Sequence, residues 1–310
     1  MKNFKILGTG SNLPKNTVKF GEDTRYRGNE DETQLKMAVE AARSALDASK
    51  LDISEIDLII SCAAVGVQPI PCTAALIHEQ IAKGTSIPAM DINTTCTSFI
   101  TALNIAGNFI KTGDYKKILI VASEKASLAL LEKHKEIYEL FSDGAVAYVI
   151  GETKKKTQGI ITAKQCTWSE GAHSTEIVGG LTGLNATLLN DENYDDYFFK
   201  MEGLEILRTC TKKLPKMFEE FMTENSLNIN DIDLVIPHQA SRALPIIMRK
   251  LKVPKEKYID RVKDYGNQVS VSVPFMLKLA LDERIIKEGD KVLLCGTAAG
   301  LTSNILLMEV

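Results

Sequence analysis

The chain has no stretch approaching the roughly 18 consecutive apolar residues that a membrane helix needs. Its first residues, MKNFKILGTGSNLP, lack the long apolar core of a signal peptide. There is no basic excess: the formal net charge is −3, which argues against general affinity for nucleic acid. Aromatic residues make up only 6% of the chain and Trp168 is the single tryptophan. The core must therefore come mainly from Ala, Ile and Leu, the usual material of helices and buried strands. None of the six cysteines (Cys62, Cys72, Cys96, Cys166, Cys210, Cys295) forms a CxxC pair, and no Cys/His cluster has zinc spacing. These absences predict a cytoplasmic protein with free thiols and no resident metal; no bound cofactor is expected either.

What the sequence does hold is a duplication. LDISEIDLIISCAA, from Leu51, and LNINDIDLVIPHQA, from Leu227, agree at seven of fourteen positions, 176 residues apart. Gly113-Asp114 before YKKILIVAS and Gly289-Asp290 before KVLLCGT repeat that spacing. Each half reads helix, strand, helix, strand. Lys36–Ala48 has apolar residues at helical spacing (Met37, Val39, Ala42, Leu46). Ile56–Ile60 is short and apolar enough for a buried strand. Ser98–Ile110 reads as a largely apolar helix, buried on most faces, and Ile118–Ala122 as another buried strand. Leu214–Thr223, Ile232–Ile236, Pro274–Ile286 and Val292–Cys295 repeat the set. Pro274 suits a first helical turn, where no N–H is needed. The polar, basic stretch Gly151–Gly159 lies where one half should hand over to the other, dividing the chain into 1–155 and 156–310. The expected fold is layered α/β, helices between sheets, with the halves related by a pseudo-twofold. Cys166–Lys200 reads as a long irregular loop, the kind that walls or covers a site.

Cys96 sits in NTTCTSFITALNIAGNFI, where Thr and Ser precede an apolar helical run. A cysteine there feels the positive end of the helix dipole, which favours its thiolate. A thiolate is what a covalent acyl carrier needs. On position alone, a packed structural thiol is the commoner reading. His238, in DLVIPHQASRAL, directly follows a buried strand, where α/β proteins tend to place functional groups. A satisfied, partly buried histidine is the alternative there. Asn267, in DYGNQVSVSVP, lies in a plain turn signal. The duplication joins the three, because position 272, in the loop with Asn267, is then the counterpart of Cys96. All three map to loops at corresponding ends of the two halves. In CGTAAGLTSN (Cys295–Asn304) small residues permit close backbone approach, and free N–H groups there suit an oxyanion hole. FSDGAVAYVIG (Phe141–Gly151) reads as a structural turn into a strand.

Taken together, these motifs resemble the ketoacyl-ACP synthase III branch of the thiolase superfamily, over nearly the whole chain. TTCTSFITAL resembles the nucleophile motif, PHQASR the histidine motif and YGNQVSVSVP the asparagine motif. FSDGAVA is similar to the family's Phe-Gly-Asp-Gly loop, and MEGLEILR (Met201–Arg208) to the segment after the tunnel loop. The resemblance implies a thiolase-like αβαβα fold and decarboxylative Claisen condensation. Cys96 would take an acyl group from a CoA or carrier-protein thioester. His238 and Asn267 would stabilise the enolate left when a malonyl-type thioester loses CO2. The N–H groups of Cys96 and Ala299 would form the oxyanion hole. It also implies a homodimer with a buried acyl tunnel, and a basic patch for acyl carrier protein near Arg242, Arg249 and Lys250 on the helix after His238. A solvated basic face is the alternative reading of that patch.

The chain departs from the family in three places. The Trp-Ile and Arg-Thr-Gly-Ile motifs that help bind the CoA nucleotide are absent; the region reads GEDTRYRGNEDE. The last loop has Ala298 and Ala299 where glycine is usual, and the residues after Asn267 are bulkier. CoA is thus expected to be a poor or differently bound donor, with a carrier protein as the substitute, and a specialised polyketide-like pathway is as open as fatty-acid synthesis. A non-decarboxylating acyltransferase on the same fold is the second reading; retention of both His238 and Asn267 favours condensation. A hydroxymethylglutaryl-type synthase fits less well, since the loop Ala63–Pro71 has no acidic residue. A non-catalytic synthase partner subunit would be expected to have lost the nucleophile or the histidine.

Overall fold

The apolar runs form strands that are buried on both faces. The computed structural model describes residues 3–310. In the strand Lys117–Glu124, Ile118, Ile120 and Ala122 face one apolar cluster while Leu119 and Val121 face another. Side chains alternate along a strand, so a strand with core on both sides must be apolar throughout.

Two sheets follow. The first runs Phe4–Asn12, Gly144–Glu152, Lys117–Glu124, Leu58–Ser61, Ala89–Asp91. The second runs Gly159–Thr167, Thr302–Glu309, Lys291–Ala298, Leu234–Pro237. Strand for strand the order is the same, less the fifth strand, in whose place Tyr258 makes a lone bridge to Val235. The helices Ser98–Thr112 and Ser272–Asp282 lie between the sheets, and their apolar side chains join residues of both sheets in one cluster. Gln34–Ser49 and Thr73–Ile81 cover the outer face of the first sheet. Gly203–Glu224 and Leu244–Lys250 cover that of the second. The layers are therefore αβαβα, as expected.

The repeat extends to individual caps. Asp52 and Glu55 form a capping box before the first buried strand, and Asn228 and Asp231 form its counterpart. Those pairs keep the 176-residue spacing, but the spacing changes before the central helices. Thr95 and Val269, 174 residues apart, each have positive φ, at 50° and 52°, and each opens a one-turn segment leading into a central helix. The link from strand to helix is two residues shorter in the second half. The counterpart of Cys96 is therefore Ser270; Ser272 matches Ser98.

The helix Gly203–Glu224 begins well before the expected Leu214 and carries Pro215 in its interior. Its stripe of Cys210, Leu214, Met217, Phe218 and Phe221 packs on the second sheet, and that burial outweighs the lost backbone bond. Between Thr167 and Lys200 the chain forms only short turns and one two-residue strand. Among the described residues no helix is long and apolar enough to cross a membrane, and no cluster of ligands suits a metal.

Candidate active site

Side chains on either side of Cys96 set its place. The thiol sits in the turn Thr95–Thr97, directly ahead of the helix Ser98–Thr112. Asn93 Oδ1 accepts the Thr95 N–H at 2.8 Å. Ser98 Oγ accepts the Thr94 N–H at 2.9 Å and donates to Thr95 O at 2.6 Å. Thr97 Oγ1 accepts from Asn304 Nδ2 of the last strand at 2.7 Å, which ties the turn to the second half. The backbone N–H groups of Cys96 and Ala299 favour the charged form of the Cys96 sulfur.

His238 follows the strand Leu234–Pro237, and its N–H donates to Cys295 O on the neighbouring strand at 2.8 Å. Its ring is buried, and Nδ1 has no hydrogen-bond partner within the protein. Gly296 lies between its side chain and Thr97, so the histidine reaches the Cys96 turn only because residue 296 has no side chain. Asn267 is fixed from both sides. Its N–H donates to Leu140 O at 2.9 Å, its carbonyl accepts the Ser142 N–H at 2.9 Å, and its Nδ2 donates to Ala240 O, next to His238, at 3.1 Å. The preceding Gly266 has φ +64, and a Cβ there would stand 2.6 Å from Leu140 O. The loop expected to be structural is what Asn267 leans on. Asp143 in it accepts from Gly28 N–H, Ser127 N–H and Ser127 Oγ at 2.6–2.8 Å.

The electrostatics correct one expectation. Helix position alone favours a Cys96 thiolate. Burial, with the carboxylate of Glu124 adding to it, instead pushes the thiol up to about 12, against smaller help from the two N–H groups. At rest Cys96 is a neutral thiol. Burial also pulls His238 down to about 4, so its ring is neutral too. Glu124 itself is pushed up to about 7, because burial outweighs the donors around it. Sequence reading passed over this residue. Its signal is visible: one acid closing the otherwise apolar strand ILIVASE.

The basic residues divide. Arg242 precedes the helix Leu244–Lys250 rather than lying on it, and it grips Asp23 with both Nε, at 3.0 Å, and Nη2. Asp23 also accepts from the buried Arg25 at 3.0 Å. It belongs to the hairpin Thr17–Phe20/Asp23–Tyr26. Arg249 and Lys250 are exposed at the end of the helix, on the outer layer.

Known proteins share this fold. The family model described as 3-oxoacyl-(acyl-carrier-protein) synthase III matches residues 90–168, and the model of its C-terminal part matches residues 222–310. The beta-ketoacyl-(acyl-carrier-protein) synthase III of Clostridium perfringens is 31% identical, with 100% of both chains covered. The chain belongs to the beta-ketoacyl-ACP synthase III family. The crystal structure of the Aquifex aeolicus synthase III superposes with a TM-score of 0.87 at 29% identity, over 99% of this chain and 100% of that one. The fold extends to the priming beta-ketosynthase of the R1128 polyketide pathway, with a TM-score of 0.87 at 24% identity over 99% of this chain and 96% of that one. As a synthase III, the protein is a thiolase-like condensing enzyme and an acyltransferase.

Proposed function

We propose that Cys96 carries the acyl group, that His238 and Asn267 act on the extender thioester, and that the N–H groups of Cys96 and Ala299 hold the oxyanion. The observation that carries this reading is His238 packed beside the Cys96 turn across Gly296, with the Asn267 carboxamide tied to Ala240, two residues from His238.

In the loading step the Cys96 sulfur attacks the donor's thioester carbonyl. The new C–S bond forms, the donor C–S bond breaks, and the thiol proton leaves with the departing thiolate. In the second step a malonyl-type thioester loses CO2, and the electron pair of the broken C–C bond becomes an enolate. The neutral N–H of His238 and the carboxamide of Asn267 are suited to hydrogen-bond that enolate oxygen. A neutral imidazole keeps its proton through the step, which suits a donor rather than an acid. The carbanion then attacks the Cys96 thioester, the oxyanion rests on the two N–H groups, and Cys96 departs as thiolate. Proton uptake restores its thiol.

The donor is finer detail. The stretch that forms the hairpin at residues 17–26 lacks the Trp-Ile and Arg-Thr-Gly-Ile motifs, which favours a carrier protein over CoA. Arg249 and Lys250 are suited to meet an acidic carrier protein. We further propose a homodimer in the cytoplasm, built from chains whose two halves are 1–155 and 156–310. Incubating the protein with acetyl-CoA and with acetyl-carrier protein, then weighing the Cys96 peptide, tests the central claim. An acetyl adduct on that peptide supports it; no adduct from either donor, in folded protein, would overturn it.

A further inference from the structure

Cys96, His238 and Asn267 each have a twin in the opposite half. Asn93 is the twin of Asn267. Its Oδ1 accepts the Thr95 N–H at 2.8 Å, as Asn267 Oδ1 accepts the Val269 N–H at 2.8 Å. Its Nδ2 donates to Ala64 O at 2.8 Å, as Asn267 Nδ2 donates to Ala240 O. Cys62 is the twin of His238: each N–H donates to the neighbouring strand, to Val121 O and Cys295 O, both at 2.8 Å. Ser270 is the twin of Cys96. The first half thus lends loops to a second site, of the same geometry, with serine at the nucleophile position.

A carboxyl fills that twin site. Glu124 ends the strand Lys117–Glu124 and is 2% exposed. Its Oε1 accepts the Ala64 N–H at 2.6 Å and the Ser270 hydroxyl at 2.5 Å. The backbone N–H groups of Val65 and Ser270 also favour its charged form. The Ser270 N–H is the twin of the Cys96 N–H. In the twin site, then, a carboxyl oxygen is bonded to Ser270, the counterpart of Cys96. In the second half the strand position matching Glu124 is Ala298, whose methyl can accept no hydrogen bond.

We propose that Glu124 is a positioning residue for condensation: by plugging the twin site it pins the loop Asn267–Val271 to the first half and holds the Asn267 carboxamide in register with Cys96. The proposal rests on the roles given above to Cys96 and Asn267. Ser270 is three residues from Asn267, and the turns Thr95–Thr97 and Val269–Val271 pack on one another, so slack at Ser270 reaches both partners of the reaction. Glu124 also acts through its charge. The ionisable groups that face it are Cys62 and Cys96, and it raises both. Asp91 also raises Cys62, while its own oxygens accept the N–H groups of Thr73 and Ala74.

The test compares Glu124→Ala, Glu124→Gln and Ser270→Ala with the wild type. Cys96 is loaded from acetyl-carrier protein, malonyl-carrier protein is added, and CO2 release is followed in a single turnover. Glu124→Ala should keep or speed loading and slow CO2 release by about 10- to 100-fold, the scale of an ångström-level misplacement. Glu124→Gln, which keeps an acceptor oxygen, should lose clearly less. Separately, Glu124→Gln should lower the Cys96 pKa by about half a unit, read as a roughly threefold faster iodoacetamide reaction at that peptide at any pH from 8 to 10, since a negative charge has gone. A part that was merely structural would leave that pKa unmoved. Should Glu124→Ala not fold, Ser270→Ala carries the test, with an expected loss of several-fold in CO2 release. Wild-type CO2 release in the variants, or an unmoved Cys96 pKa, overturns the proposal. Asn267→Ala run beside them separates the two readings: if it too releases CO2 at the wild-type rate, the assigned role of Asn267 is what has failed.

Discussion

A Cβ at Gly296 would stand 2.8 Å from the His238 Cβ and 3.3 Å from Thr97 Cγ2. The histidine and the nucleophile turn meet across this one residue of the second sheet. Gly296→Ala should push His238 off its place, slowing condensation by about 10- to 100-fold while destabilising the fold by only about 1–3 kcal/mol. Rates and urea unfolding, measured on the same preparation, check both halves. A variant as active as the wild type would show that the His238 position tolerates displacement.

Loading and decarboxylation should separate by residue. Cys96→Ala should abolish the acyl adduct. His238→Ala and Asn267→Ala should keep it and slow CO2 release from malonyl-carrier protein by about 100-fold, the usual scale for losing a donor aimed at a developing oxyanion. Single-turnover CO2 release with mass analysis of the Cys96 peptide gives both numbers. A variant at 238 that fails to load would move the histidine into the first step.

The resting thiol should be neutral. With Cys96 pushed up to about 12, iodoacetamide reaction at its peptide should climb about tenfold per pH unit from 7 to 10 without levelling, because only the thiolate reacts. A plateau below pH 8 would mean the helix terminus outweighs burial after all.

Two buried groups should oppose each other in the pH dependence of stability. His238 is pulled down from 6.5 to about 4, so the unfolded chain binds its proton more readily. The stability it confers is full above pH 6.5 and is lost as pH falls toward 4. Glu124 is pushed up from 4.5 to about 7, so its contribution is full below pH 4.5 and is lost as pH rises through 7. Each is worth up to about 3 kcal/mol, and between pH 4.5 and 6.5 they cancel. Glu124→Gln removes one side, so its stability should gain on the wild type by up to that amount from pH 4.5 to 7. Urea unfolding across this window reads the difference; a constant difference would show that Glu124 does not titrate there.

The basic residues should respond differently to charge reversal. Arg249→Glu and Lys250→Glu should raise KM for a carrier-protein substrate several-fold, with little change in stability, since both lie exposed at a helix end. Arg242→Glu faces Asp23 and should also lower the melting temperature. Unchanged KM in the first two would remove them from docking.

Much of this was readable beforehand. Apolar strands such as Ile118–Ala122 and helices such as Ser98–Ile110 declared themselves, because a segment buried on both faces has no room for polar residues. The matched turns at Leu51 and Leu227 declared the duplication. The twin of Cys96 was misplaced by two residues, because the shortened link leaves no mark on composition. Pro215 hid the first half of its helix, since local propensity argues against what packing on the second sheet enforces.

The sequence by itself determined the fold class, the duplicated order of elements and the three loops that carry Cys96, His238 and Asn267. Only the tertiary structure decided the state of those groups. Helix position favours a charged Cys96, but burial and the nearness of Glu124, 28 residues further along the chain, make it a neutral thiol. Desolvation depends on everything packed around a group, so no motif carries it. For the same reason Glu124, an unremarked acid at a strand end, became part of the site only when folding brought Ser270 to its carboxyl.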